Sequence, residues 1–134
     1  MTTPEFKHRE LTERIIRVFY EVYNELGHGF LEKVYENALA IALSQAGTEV
    51  RQQMSLTVRF RGNVVGEYVA DMVVNDLVLI EVKAARDMEP AFEAQLLNYL
   101  RATEIEVGLL LNFGPTPSFK RLAFDNTRKK RDPR

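Results

Sequence analysis

The stretch VADMVVNDLVLIEVKAA, residues 69–85, constrains the fold more than any other part of the chain. Two apolar runs flank Asn75-Asp76, a pair suited to a tight turn, so they read as two strands of a hairpin. Asp71 interrupts the first run, and Glu81 and Lys83 close the second. Burying a carboxylate in an apolar strand costs several kcal/mol unless it is paired or bound to a cation. The chain must therefore form a sheet and compensate these charges inside it.

The surrounding pattern supplies the other elements. Leu11, Ile15, Val18, Phe19, Val22 and Leu26 recur at helical spacing, and Gly27 follows as a stop. A second helix is expected from about Phe30, with Leu31, Val34, Tyr35, Ala38, Leu39, Ala42 and Leu43 as its apolar stripe and Gly47 at its end. Then the period changes to two. MSLTVRF, VVGEYVADMVV and LVLIEVKA, separated by turns at RGN and ND, predict a three-stranded antiparallel meander. Pro90 suits the first turn of a third helix, PAFEAQLLNYLRAT. EVGLLLNFG reads as a buried strand, and FKRLAF as one more edge strand. The order α-α-β-β-β-α-β predicts an α/β fold, a mixed sheet flanked by helices. The third helix has the length of a crossover to a parallel fourth strand.

With 134 residues this is one domain, large enough for its own core. There is no cysteine, which excludes disulfides and thiol catalysis, and two histidines make zinc improbable. A metal here would be a hard cation held by oxygen. The opening residues lack the apolar core of a signal peptide and no run approaches bilayer length, so the cytoplasm is the expected compartment. The net charge of −1 hides an asymmetry. Residues 120–134 carry seven Lys/Arg against two Asp/Glu, leaving 11 against 17 in residues 1–119. We therefore expect one domain over 1–124 and a basic, solvated tail over 125–134.

Strand alternation places Glu81 and Lys83 on one face, roughly 6.6 Å apart, with Val78, Ile80 and Val82 on the other. Asp71 joins that face only if the turn has an odd number of residues or a bulge intervenes; a two-residue turn would place it opposite Ile80. Two adjacent carboxylates repel unless a cation lies between them, and Mg²⁺ or Mn²⁺ suits this donor set. The Lys83 ammonium would then orient water or stabilise charge on a phosphate. A surface hairpin with a carboxylate–lysine salt bridge would satisfy E-x-K alone, and the register separates the two.

The residues resemble the PD-(D/E)xK nuclease superfamily, with Asp71 followed by Glu81-Val82-Lys83 on the second and third strands. More narrowly, Gly29, Glu32 and Tyr35 in LGHGFLEKVYENAL, with EAQLLNYL and VGLLLNFG downstream, resemble the GxxExxY family within it. The resemblance covers about residues 11–124 and implies a restriction-endonuclease-like core, α-β-β-β-α-β. It implies that Asp71, Glu81 and the Val82 carbonyl bind metal and that Lys83 is the catalytic lysine. Gln95 and Tyr99, four apart on one helix face, would bind substrate, and Gln53 matches a glutamine of the family. Glu32 would join the metal site, although a first-turn glutamate is also stabilised by the helix dipole. Tyr35, in the apolar stripe, reads as core. The chain departs from the family pattern at Ala70, at His28 where a proline is usual, and at Tyr23 and Phe92 where histidines are usual, the last two bearing on phosphate binding or proton transfer.

The function implied is a Mg²⁺-dependent phosphodiesterase acting on DNA, or alternatively RNA, through a metal-activated water, with a homodimer as the expected assembly. The rival is a catalytically silent nucleic-acid- or protein-binding module on the same fold, which the acidic body favours.

Overall fold

The computed structural model describes residues 7–129 of the chain. Helix α1 (Arg9–Leu26) buries Ile15, Val18, Phe19 and Val22, the i, i+3, i+4, i+7 row that its spacing predicts. It ends at Gly27, whose φ of 68° few other residues adopt and whose N–H donates to the Tyr23 carbonyl at 2.8 Å. Helix α2 (Glu32–Gln45) buries Tyr35, Leu39 and Leu43 with Glu36 and Ala40 alongside. Its apolar stripe is narrower than the sequence predicts, because Leu31 is 80% exposed and Val34 is also exposed. Tyr35 sets this rotation. Its hydroxyl donates to the Gly27 carbonyl at 2.6 Å and accepts from the Phe30 N–H, while its ring stacks on Phe113 with centroids 4.5 Å apart.

Five strands follow in the spatial order of the sequence: β1 (Val50–Phe60), β2 (Asn63–Val74), β3 (Val78–Lys83), β4 (Val107–Asn112) and β5 (Ser118–Ala123). The β1–β2–β3 meander is antiparallel, β4 lies parallel to β3, and β5 closes the sheet as an antiparallel edge strand. Helix α3 (Pro90–Arg101) makes the β3–β4 crossover. Helices α1 and α2 cover one sheet face, with Val78, Ile80, Val82, Leu109 and Leu111 in that core; α3 covers the other, over Leu56, Val73, Leu79 and Leu110. Gly108 lets α3 approach β4 closely, since a Cβ there would sit 2.9 Å from Leu96.

Alternation breaks midway along β1 and β2. Val50, Met72 and Val74 pack towards α1 and α2, whereas Met54, Leu56 and Ala70 pack towards α3. The break falls at Gln53 and Asp71, which the pairs Gln52↔Met72 and Met54↔Ala70 bracket. Gln53 has a φ of 56°, a left-handed residue inside a strand, so β1 changes face there. The sequence places Gln53 just ahead of the first strand; it lies within it, because β1 begins at Val50.

Residues 125–129, assigned to the tail by composition, lie against the α3–β4 connection. The Asn126 N–H donates to Glu106 at 2.6 Å, and the Lys129 ammonium donates to the carbonyls of Thr103 and Ile105. The remainder of the expected tail, 130–134, lies outside the described residues.

Candidate functional site

The β2–β3 hairpin sets the site. Its turn holds three residues, Asn75, Asp76 and Leu77, between the pair Val74↔Val78, the odd length a shared face requires. Asn75 and Asp76 take φ of 53° and 56°, left-handed values that their short polar side chains tolerate. Pairing runs from Val74↔Val78 to Met72↔Ile80, and there the regular ladder ends. One step further, the side chains replace it. The Asp71 N–H donates to Glu81 Oε2 at 2.7 Å, and the Val82 N–H donates to Asp71 Oδ2 at 2.7 Å. Two carboxylates thus wedge the strands apart at a fork, each holding the other strand's backbone.

Glu81 is 3% exposed and Asp71 half-buried. Burial, then the neighbouring Asp71 charge, pushes the Glu81 carboxyl up to about 8. Burial also raises Asp71, against the N–H of Val82 that lowers it, and the Glu36 charge adds to the rise. Lys83 opposes both shifts without cancelling either. The fork repels its own negative charge, and its donors are hard oxygens, so the residues present fit a hard divalent cation. Among the described residues no three His, Cys, Asp or Glu side chains already form a metal cage.

Lys83 leaves β3 on the same side as Glu81. Its ammonium donates to Gln95 Oε1 at 2.9 Å and lies 4.8 Å from the centre of the Phe92 ring. The strand end is clamped behind it. The Asn112 amide accepts from Ala85 N–H and donates to Ala85 carbonyl, both at 2.9 Å, while Phe113 N–H donates to the Lys83 carbonyl at 2.7 Å. Gly114 keeps this clamp possible, because a Cβ would fall 1.9 Å from the Ala85 oxygen. Tyr99, one turn beyond Gln95, is buried, and its phenol is raised by burial first and then by the charges of Glu81 and Asp71.

Asp71, Glu81, Lys83, Gln95 and Tyr99 therefore converge. Glu32 and Gln53 are placed differently. Glu32 stands exposed in the first turn of α2 and reaches Asp71 only as a distant like charge. Gln53 turns to α2, where its amide donates to both Glu36 oxygens at 3.0 and 3.1 Å. Gln52 donates to the same carboxylate at 2.7 Å, so the left-handed turn at Gln53 lets consecutive glutamines reach one acid. Glu36 is the residue that sequence reasoning missed. It is a buried acid whose charge raises both fork carboxylates. It follows Tyr35 and stands four residues after Glu32, outside the apolar row that the spacing predicts, so no sequence signal marks it as buried. At the family departures, Tyr23 donates to the carbonyls of Gly114 and Pro115, and Phe92 supplies the ring beside Lys83.

No curated protein matches the chain significantly. Among solved structures, an alkaline exonuclease, LHK-Exo from Laribacter hongkongensis, superposes with a TM-score of 0.53 at 13% identity, covering 95% of this chain and 74% of its own. The crystal structure of SSO0001 aligns with a TM-score of 0.48 at 19% identity over 84% of this chain, which spans 62% of that protein. The mixed five-stranded sheet flanked by helices is a restriction-endonuclease-like fold. The model of the PD-(D/E)XK nuclease superfamily matches residues 9–122, nearly the whole sheet and all three helices, and the chain belongs to that superfamily.

Proposed function

We propose that the protein is a divalent-metal-dependent phosphodiesterase that hydrolyses DNA, with RNA as the alternative substrate. One observation carries the reading: a buried carboxylate, a half-buried one and a lysine meet at a forked strand pair, where the carboxylates repel each other. Asp71 and Glu81, with the carbonyl of Val82, would hold Mg²⁺ or Mn²⁺. Such an ion supplies Lewis-acid stabilisation of phosphate charge and activation of water. The protein's own groups do the rest. Asp71 and Glu81, tied to backbone N–H groups, are preorganised and need no rearrangement to present oxygens. Lys83, held by Gln95, places a positive charge beside them for the negative charge that grows on phosphate. Gln95 and Tyr99 position substrate from α3. Glu36 fixes Gln53 against the back of the fork, and Glu32 adds negative charge at its rim.

The chain also fits the narrower GxxExxY group, with Gly29, Glu32 and Tyr35 around the α1–α2 turn. A homodimer would provide a longer grip on a duplex, and the cytoplasm is the proposed compartment. No helix among the described residues is long and apolar enough to cross a membrane.

The test is cleavage of end-labelled single- and double-stranded DNA and RNA with Mg²⁺ or Mn²⁺. Wild type should cut and Asp71→Asn and Lys83→Met should not. Equal activity in all three would assign the cleavage to a contaminant. One observation favours a second reading, a silent binding module: each fork carboxylate already satisfies a backbone N–H, so the pair has a structural task. Tight nucleic-acid binding without any cleavage would select that reading.

A further inference from the structure

Beside the fork, on its α3 side, lies a cleft of about 290 Å³ lined by Tyr68, Ala91, Ala94, Gln95, Asn98 and Tyr99. Its volume is at the lower end of small-molecule pockets, about 300–1,000 Å³. Small side chains on one face of α3, Ala91 and Ala94, form part of its lining, and Tyr68 reaches it from β2. Tyr68 is 41% exposed, and its ring rests against the buried Tyr99 ring, centroids 5.6 Å apart at a 48° tilt. Tyr99 thus props Tyr68 from one side and leaves aromatic surface open. The amides of Gln95 and Asn98 offer donors and acceptors, and no acid lines the cleft to repel a polyanion. Gln95 also holds Lys83, so the cleft lies one side chain away from the fork.

We propose that this cleft seats one unstacked nucleobase of a single-stranded nucleic acid, next to the phosphate presented to the fork. Tyr68 is the stacking platform and the amides of Gln95 and Asn98 meet the base edge. A base within a duplex has both faces stacked and its pairing edge occupied; an extruded or single-stranded base offers all three to such a cleft. Stacking is tolerant of sequence because every base has an aromatic face. The substrate class rests on the nuclease reading, but the test reads binding and can fail separately.

The probe is an eight-nucleotide single-stranded DNA, fluorescently labelled, with one abasic nucleotide moved through each position in turn. Affinity is measured by anisotropy on Asp71→Asn protein, whose amide retains the acceptor for the Val82 N–H. One abasic position should weaken binding about tenfold, in the range of a lost base–aromatic stack. Adding Tyr68→Leu should weaken the intact strand to the same degree and erase the position dependence, while Tyr68→Phe should preserve it. Circular dichroism should report the same fold for all three. Uniform affinity at every abasic position, no binding of the intact strand, or position dependence that survives Tyr68→Leu would overturn the proposal. Wild-type cleavage alongside uniform binding would overturn the base cleft and leave the nuclease reading standing. Position-dependent binding without cleavage would do the reverse.

Discussion

At its turn end, the β2–β3 hairpin is zipped by Val74↔Val78, Val73↔Leu79 and Met72↔Ile80, six buried apolar side chains in regular register. Three residues from Val74, at Asp71, the same strands are held by crossed carboxylate–backbone bonds instead. Both ends join the same two strands, but by different physics. The closed end is stabilised by burial, which no ion is needed to complete. The open end makes its hydrogen bonds with groups that burial and mutual repulsion hold towards the protonated state. One end is built for stability and the other keeps a charge imbalance that a cation would relieve.

Substitutions that separate the two ends sharpen this contrast. Asp71→Asn or Glu81→Gln keeps an acceptor for the partner N–H but removes charge, so cleavage should fall more than about 100-fold while the ion-free melting temperature does not fall. Steady-state rates and melts in EDTA check both halves. At the closed end Ile80→Ala should do the opposite, costing about 2–5 kcal/mol of stability by denaturant titration while the folded fraction keeps its activity. Loss of activity without loss of stability there would erase the distinction.

The pH dependence tests the open end alone. The Glu81 carboxyl has an ordinary value of 4.5 and is raised to about 8 in the fold, so the folded protein binds more protons than the unfolded chain between those values. Its contribution to stability is complete below about 4.5 and is lost as pH rises through about 8; Asp71, also raised, has the same sign. In EDTA the wild-type melting temperature should fall by several degrees between pH 5 and 8, and Glu81→Gln should flatten that fall. A wild-type profile that rises over this range would contradict the fork electrostatics. A smaller effect is expected from Gln95→Ala, which releases the Lys83 ammonium from its acceptor and should lower turnover about tenfold with little change in melting. Smallest is Leu31→Ser, which should change stability by less than about 0.5 kcal/mol because the side chain is already in water.

That last position also marks how far the sequence carries. The element order, the parallel crossover and the edge strand were legible because apolar period and turn residues report local structure directly. Leu31 and Val34 were assigned to the α2 stripe on the same logic, but the Tyr35 hydroxyl and its stack on Phe113 set the helix rotation, a tertiary contact. Asp71, Glu81 and Lys83 could be named as a group, whereas their shared face depended on one residue of turn length. Glu36 was out of reach because its burial depends on Gln53 adopting a left-handed conformation that no spacing rule signals.

The claim that the fork is a cation site can be tested on the protein by thermal melting with and without Mn²⁺ for wild type, Asp71→Asn and Glu81→Gln. Ion binding to the native state should raise the wild-type midpoint by an amount that grows with Mn²⁺ concentration and leave both variants unmoved. An equal rise in all three proteins would place the ion elsewhere and contradict the account.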